Sequence, residues 1–213
     1  MADRFLELLL SLPPLLLALT VHEYFHGFIA YRMGDPTAKF AGRLTFNPLK
    51  HIDPIGLIAF LLFRFGWAKP VPVNPYNFYD YKKGMVLTSI AGPGSNFLLA
   101  FISGMIIRIA GPSLATPALL PLAIMLRLSL FYNLILCAFN LIPIPPLDGS
   151  NVLFYFLPDR YAYIRYQLER YGFLILVGLI LLNNIGIPVL WGWIGPFVFF
   201  FSKLFAGFSN FYL

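Results

Sequence analysis

The chain has 213 residues, of which 59% are hydrophobic and only 11% charged, with a mean hydropathy of +0.77. A soluble domain carries about twice that share of charge, so the composition excludes an ordinary soluble protein and points to an all-α polytopic membrane protein. The net charge of +6 is not a nucleic-acid footprint, because the basic residues lie between apolar runs, where membrane topology puts them, and form no Lys/Arg-rich soluble segment.

The first apolar run covers about residues 5–33. It is long enough to span a bilayer, with Pro13 and Pro14 expected to kink it near its start and Gly34-Asp35-Pro36 to end it. It has no small-residue cleavage site of the signal-peptide kind. Residues 37–83 differ in character. "TAKFAGRLTF" and "AKPVPVN" alternate Thr, Val and Phe with other residues, which predicts short strands and a small membrane-associated β region over about 37–78, with prolines at its edges. Between them, "IDPIGLIAFLLFRFG" (54–66 at its core) is apolar but too short to cross, and is flanked by Lys50 and Arg64. A re-entrant or interfacial segment is expected.

A second span is expected over about 84–110 and a third over about 117–142, joined by a very short loop into a tight hairpin. Cys137 lies within the third; as the one cysteine, it forms no internal disulfide. "PIPPLDG" follows, then "PDRYAYIRYQLER", read as an interfacial amphipathic helix, then a C-terminal helical hairpin over about 172–206. The sum is one membrane domain, a bundle of about five spans with a core over 5–150. Lysines and arginines crowd the 34–83 and 143–171 regions and are missing from 111–116. The positive-inside rule therefore makes the first two regions cytoplasmic and places the N-terminus outside.

Within the first span, "LTVHEYFHGF" (19–28) buries polar groups where they are costly. His22 and His26 are four residues apart, hence about 40° apart around a helix and one turn apart along it, so both imidazoles reach one metal ion. Glu23, beside the first, reaches a water on that ion, the zincin arrangement with a glutamate base. A pair of polar residues satisfied inside a bundle is the structural alternative. Catalytic zinc needs a third protein ligand at the depth of the histidines. Asp148 in "NLIPIPPLDG" is the best candidate, following the third span directly on a stretch stiffened by Pro143, Pro145 and Pro146. Asp35, Asp53, Asp80 and His51 are weaker rivals, set among surface-like basic residues. Asn96 in "AGPGSNF" sits in an apolar span, where it could support a substrate backbone or an oxyanion, or bond between helices. Asn140 is read the same way. Gly92 and Gly94 allow close helix approach.

At these residues the chain resembles the site-2 protease family of intramembrane zinc metalloproteases. "HEYFH" at 22–26, "AGPGSN" at 91–96 and "NLIPIPPLDG" at 140–149 match in order. The resemblance implies one Zn2+ held by His22, His26 and Asp148, Glu23 as the base, and Asn96 as the family asparagine. It implies a minimal prokaryotic member, since no PDZ domain fits between the second and third core helices and no nucleotide-binding module follows. It further implies a multi-pass inner-membrane enzyme whose active site is toward the cytoplasm, acting on membrane proteins that carry a transmembrane helix and on no nucleic acid. Two rival readings stand beside it: a metal transporter using the same ligands, and a zinc hydrolase acting on lipid or another small substrate. A transporter would want polar residues along several spans and internal symmetry, which this chain lacks.

Overall fold

The computed structural model describes residues 2–63, 66–114 and 116–207. Helix α1 (Ala2–Arg32) runs through Pro13 and Pro14 without a break and carries the His pair in its second half. It stops at Gly34, whose φ of 110° is a left-handed conformation that suits glycine. A one-turn helix α2 (Thr37–Phe40) follows, then a ten-residue apolar helix α3 (Pro54–Phe63).

The expected β region does not form among the described residues. Thr37–Phe40 is helical, and the rest of 37–78 is extended chain, turns and α3, with one isolated antiparallel bridge between Ile52 and Ala68. Two causes are visible. Prolines at 48, 70, 72 and 75 cannot donate to a ladder. In addition, Asn47, Asp53 and Asn74 take the backbone N–H two residues on: Leu49 at 3.0 Å, Ile55 at 2.9 Å and Tyr76 at 3.2 Å. Such local side-chain bonds offer the backbone an alternative to pairing between strands.

Helix α3 is short for a span. Ten residues make a helix about 15 Å long, half of the hydrocarbon thickness of about 30 Å. The chain also comes back to where it left, for the Lys69 N–H donates to the His51 carbonyl at 2.9 Å. Arg64, expected to flank this segment, lies outside the described residues.

The bundle proper is built by α4 (Tyr81–Leu114) and α5 (Leu120–Asn140), the tight hairpin expected, with α1 and α8 (Val189–Ala206) packed against both. Short α6 (Asp148–Phe156) returns from the end of α5 to α4. The amphipathic stretch and the following apolar run form one continuous helix, α7 (Ala162–Asn184), instead of two elements. Among the described residues four helices are long and apolar enough to cross a membrane: Leu8–Arg32, Tyr81–Gly111, Pro117–Asn140 and Val189–Ala206.

In lipid, helices gain little from burying apolar surface against each other, so close packing and small residues hold the bundle together. Ala100, Leu130, Leu134, Ala138 and Val198 form the buried centre of α4, α5 and α8. At Gly104 an added Cβ would stand 2.5 Å from the Cβ of Phe205, so α8 seats directly on the α4 backbone. A smaller cluster of Ile142, Leu147 and Leu176 lets α7 buttress the proline-rich turn. There, Gly172 faces the Pro145 carbonyl so closely that a Cβ would meet it at 2.4 Å.

Candidate metal centre

Two helices bring three side chains to one point. His22 and His26 project from α1, and Asp148 is the first residue of α6. The His22 and His26 Nε2 atoms are 2.9 Å apart, and the Asp148 Oδ2 is 3.4 Å from the first and 3.2 Å from the second. The imidazoles meet edge to face at 80°, with centroids 4.5 Å apart. Among the described residues these three are the group of potential ligands close enough to share an ion.

The hydrogen bonds on the far side of each ring decide what these atoms offer. His22 Nδ1 lies 2.6 Å from the Asn96 Oδ1. Asn96 spends its amide nitrogen on the Ala18 carbonyl at 3.1 Å and the Asn133 Oδ1 at 2.7 Å, so its oxygen is the atom facing His22. His22 Nδ1 must then carry the proton and donate it. His26 Nδ1 likewise donates to the Thr88 carbonyl at 2.7 Å. When neutral, each ring therefore turns the lone pair of its Nε2 inward.

In that state two nitrogen lone pairs and a carboxylate oxygen face one another. The Asp148 Oδ2 is buried and has no hydrogen-bond partner among the described residues. Three converging acceptors repel unless a cation lies among them. With zinc–ligand bonds of about 2.0–2.1 Å, tetrahedral ligand atoms sit about 3.3 Å apart; the three edges observed, 2.9, 3.2 and 3.4 Å, bracket that value. The residues present fit zinc.

The helix facing the centre leaves room for it. At Gly92 on α4 an added Cβ would stand 2.3 Å from His26 Nε2 and 2.7 Å from His22 Nε2. Gly149 does a related task beside Asp148. A Cβ there would meet the Leu141 carbonyl at 2.3 Å, so only glycine lets the first turn of α6 lie against the end of α5. Asn151 then pins α6 to α4 by donating to the Ser89 hydroxyl at 2.9 Å.

Glu23 lies on the same face of α1, half-buried, and its Oε2 accepts the Val71 N–H at 2.8 Å. That bond lays the extended 68–74 segment across α1 beside the metal ligands. Gly27 seats the same segment, since a Cβ there would come within 2.9 Å of the Val71 side chain.

Comparison with known proteins decides the family. The chain is 40% identical over 197 residues to "Putative zinc metalloprotease YwhC" of Bacillus subtilis, covering 89% of this chain and 90% of that protein. It is 30% identical over 202 residues to "Putative zinc metalloprotease Rip2" of Mycolicibacterium smegmatis, covering 92% of this chain and 73% of the relative. The chain belongs to the site-2 protease family. It is a zinc metalloprotease, with Zn2+ as its cofactor. No family model and no solved structure matches the chain.

In this protease the weaker rivals for the metal are engaged elsewhere. The Asp35 carboxylate accepts Asn74 N–H at 2.7 Å and the Asn77 amide at 2.8 Å, tying the end of α1 to the 74–77 turn. Asp53 caps α3 and Asp80 accepts the Lys83 N–H at 3.0 Å. His51 Nε2 pairs with the Thr45 carbonyl at 2.9 Å. Asn140 is not brought to the histidines: its amide donates to the carbonyl of Leu136 in its own helix at 3.0 Å.

Sequence reasoning missed Asn133. It is fully buried and continues the polar line from His22 through Asn96 to Ser129, whose carbonyl accepts from Asn133 at 2.9 Å. Ser129 and Ser103 pair their hydroxyls at 2.9 Å at its far end. The signal that singled out Asn96 and Asn140, a lone asparagine in an apolar run, applied equally to Asn133.

Proposed function

We propose that this protease hydrolyses peptide bonds within or near the transmembrane segments of membrane-protein substrates, with His22, His26 and Asp148 as zinc ligands and Glu23 as the general base. The convergence of two Nε2 lone pairs and the Asp148 carboxylate inside a helix long and apolar enough to span carries this reading. Zinc held by these residues would supply a Lewis acid that acidifies a water molecule. Glu23 takes a proton from the attacking water and returns it to the leaving amine. Its Oε2 is oriented by the Val71 N–H, which leaves Oε1 for that exchange. Asn96, with its oxygen on His22 and its nitrogen on α1 and α5, acts here by orienting the ligand; both its amide hydrogens are committed, so it has none left for an oxyanion. The enzyme is placed in the plasma membrane with its active site toward the cytoplasm. The support is the bias of Lys and Arg to the 34–83 and 143–171 regions.

The test uses purified protein with a tagged single-span substrate. Chelator-sensitive cleavage at membrane depth, lost in His22→Ala, His26→Ala and Asp148→Ala together with zinc, is the expected result. Metal flux without cleavage, or hydrolysis of lipid in place of peptide, would overturn it. An Asp148→Ala protein with full zinc would remove Asp148 from the ligand set.

A further inference from the structure

Beside the metal centre lies an apolar recess of about 80 Å3. Its floor is the stretch of α1 just before the His pair, with Leu12, Leu15, Leu16 and Leu19; Leu57 of α3 and Leu136 of α5 close two sides. Its relation to the catalytic face follows from helix geometry. Leu15 precedes His22 by seven residues, and Leu16 and Leu19 precede Glu23 by seven and four. They therefore lie within about 20–40° of those residues around the axis, one or two turns below them. The recess is thus lined by the same face of α1 that carries the ligands and the base.

A second wall gives the direction in which a substrate would run. Ala68 lines the recess, and Val71, three residues on, donates its N–H to Glu23. Three residues of extended chain cover about 10 Å, so one backbone strap runs from the recess to the base. Leu19, one turn of α1 before Glu23, brings the near wall of the recess to about 6 Å from it along the axis, so a peptide bond placed at Glu23 has a neighbouring side chain within reach. On the scale on which a dry cavity of about 150 Å3 holds a benzene ring, 80 Å3 holds three or four carbon atoms.

We infer that this recess is the side-chain pocket that selects the residue next to the cut bond, and that it takes a valine- or leucine-sized apolar side chain. The inference rests on the proteolytic reading above and adds a substrate preference to it. Leu15, Leu16, Leu19 and Ala68 are specificity-determining residues and stand outside the ligand set. Leu16 and Ala68 control the depth of the pocket, the first from α1 and the second from the strap.

The experiment takes a single-span substrate that the wild type cleaves and places Ala, Val, Leu, Phe, Trp and Lys in turn at each of the three residues on either side of the cut bond. The wild type should prefer Val or Leu at one position adjacent to the cut. Trp or Lys there should lower kcat/KM by about 10- to 200-fold, the range that shape mismatch in an apolar pocket produces. Ala68→Leu should shift the preference at that position to Ala, and Leu16→Ala should open it to Phe, with other positions unchanged. Zinc content is read in each variant, so a collapsed site is recognised. As a second readout, a diazirine-bearing leucine at the selected position should cross-link to the 12–19 stretch in Glu23→Gln protein, which leaves the recess unaltered. Continued cleavage with the same preference in both variants, or cross-links that map elsewhere, would overturn the pocket and leave the protease reading intact. A wild type that binds zinc but cleaves no substrate would overturn the protease reading, and the pocket with it.

Discussion

His22 Nδ1 and Asn96 Oδ1 are 2.6 Å apart, across the interface of α1 and α4. The bond fixes which nitrogen of His22 is protonated, because Asn96 commits both amide hydrogens to Ala18 and Asn133. A metal-binding histidine is commonly held this way by the group behind it. Asn96→Ala should therefore weaken zinc binding by about 10- to 100-fold while leaving the ligands in place. Asn133→Ala, one step further from the metal, should act in the same direction and more weakly. Competition with a chromogenic zinc chelator reads both. Zinc affinity equal to wild type in Asn96→Ala would show that the bond does not orient the ring.

Gly92 brings the α4 backbone up against the two Nε2 atoms. The methyl group in Gly92→Ala would occupy the space between the two Nε2 atoms and α4, so zinc occupancy should fall to near zero with helix content unchanged. Gly94→Ala is the matched control, because nothing lies within 4 Å of a Cβ at that position. Metal analysis and circular dichroism on the two proteins decide the matter. Equal zinc in both would mean that the ion sits away from Gly92.

The contrast between Asn96, Asn133 and Asn140 shows which parts of the site were legible in the sequence. The His22–His26 spacing turns directly into geometry, because a helix has a fixed period. Asp148 could be reached because its proline-rich approach restricts where the chain can go. Asn133 and Asn140 are seven residues apart and so share nearly one face of α5. Only their depth relative to α4 distinguishes them, and that depth depends on how two helices slide past each other. No local pattern encodes it. The strands expected over 37–78 failed for a related reason. Alternation in "AKPVPVN" sets side-chain direction, but a ladder also needs free N–H donors, and Pro70, Pro72 and Pro75 remove them.

Glu23 differs from its neighbours in not belonging to the ligand triangle. Its carboxylate is held by the Val71 N–H, 2.8 Å away, and not by either histidine. Glu23→Gln keeps the size and an oxygen able to accept that bond, while removing the base. Zinc content should match wild type and turnover should fall by about 10²–10⁴-fold, the usual contribution of a positioned base. Both are measured on one preparation. Turnover near wild type would take Glu23 out of the chemistry.

The topology of the α3 segment sets the side from which Asp148 approaches the histidines. Lys50 and Lys69 are both exposed, and the Lys69 N–H bonds the carbonyl of His51, so the two lysines flank one doorway. With α3 about 15 Å long, the re-entrant reading has the segment dip in and return to the same face. Single cysteines at Lys50 and Lys69, in a Cys137→Ser background, should both label from the cytoplasmic side of sealed vesicles and neither from the other side. Cys137 is buried, so its replacement removes background without touching the doorway. Labelling from opposite faces would require α3 and its flanks to cross, which would reverse every helix after it. It would also separate His51 from Lys69 and the bridge between Ile52 and Ala68, and with that bridge the strap that carries Val71 to Glu23. One labelling pattern therefore tests the re-entrant geometry, the orientation of α4 to α6, and the arrival of Asp148 at the histidines from the cytoplasmic side.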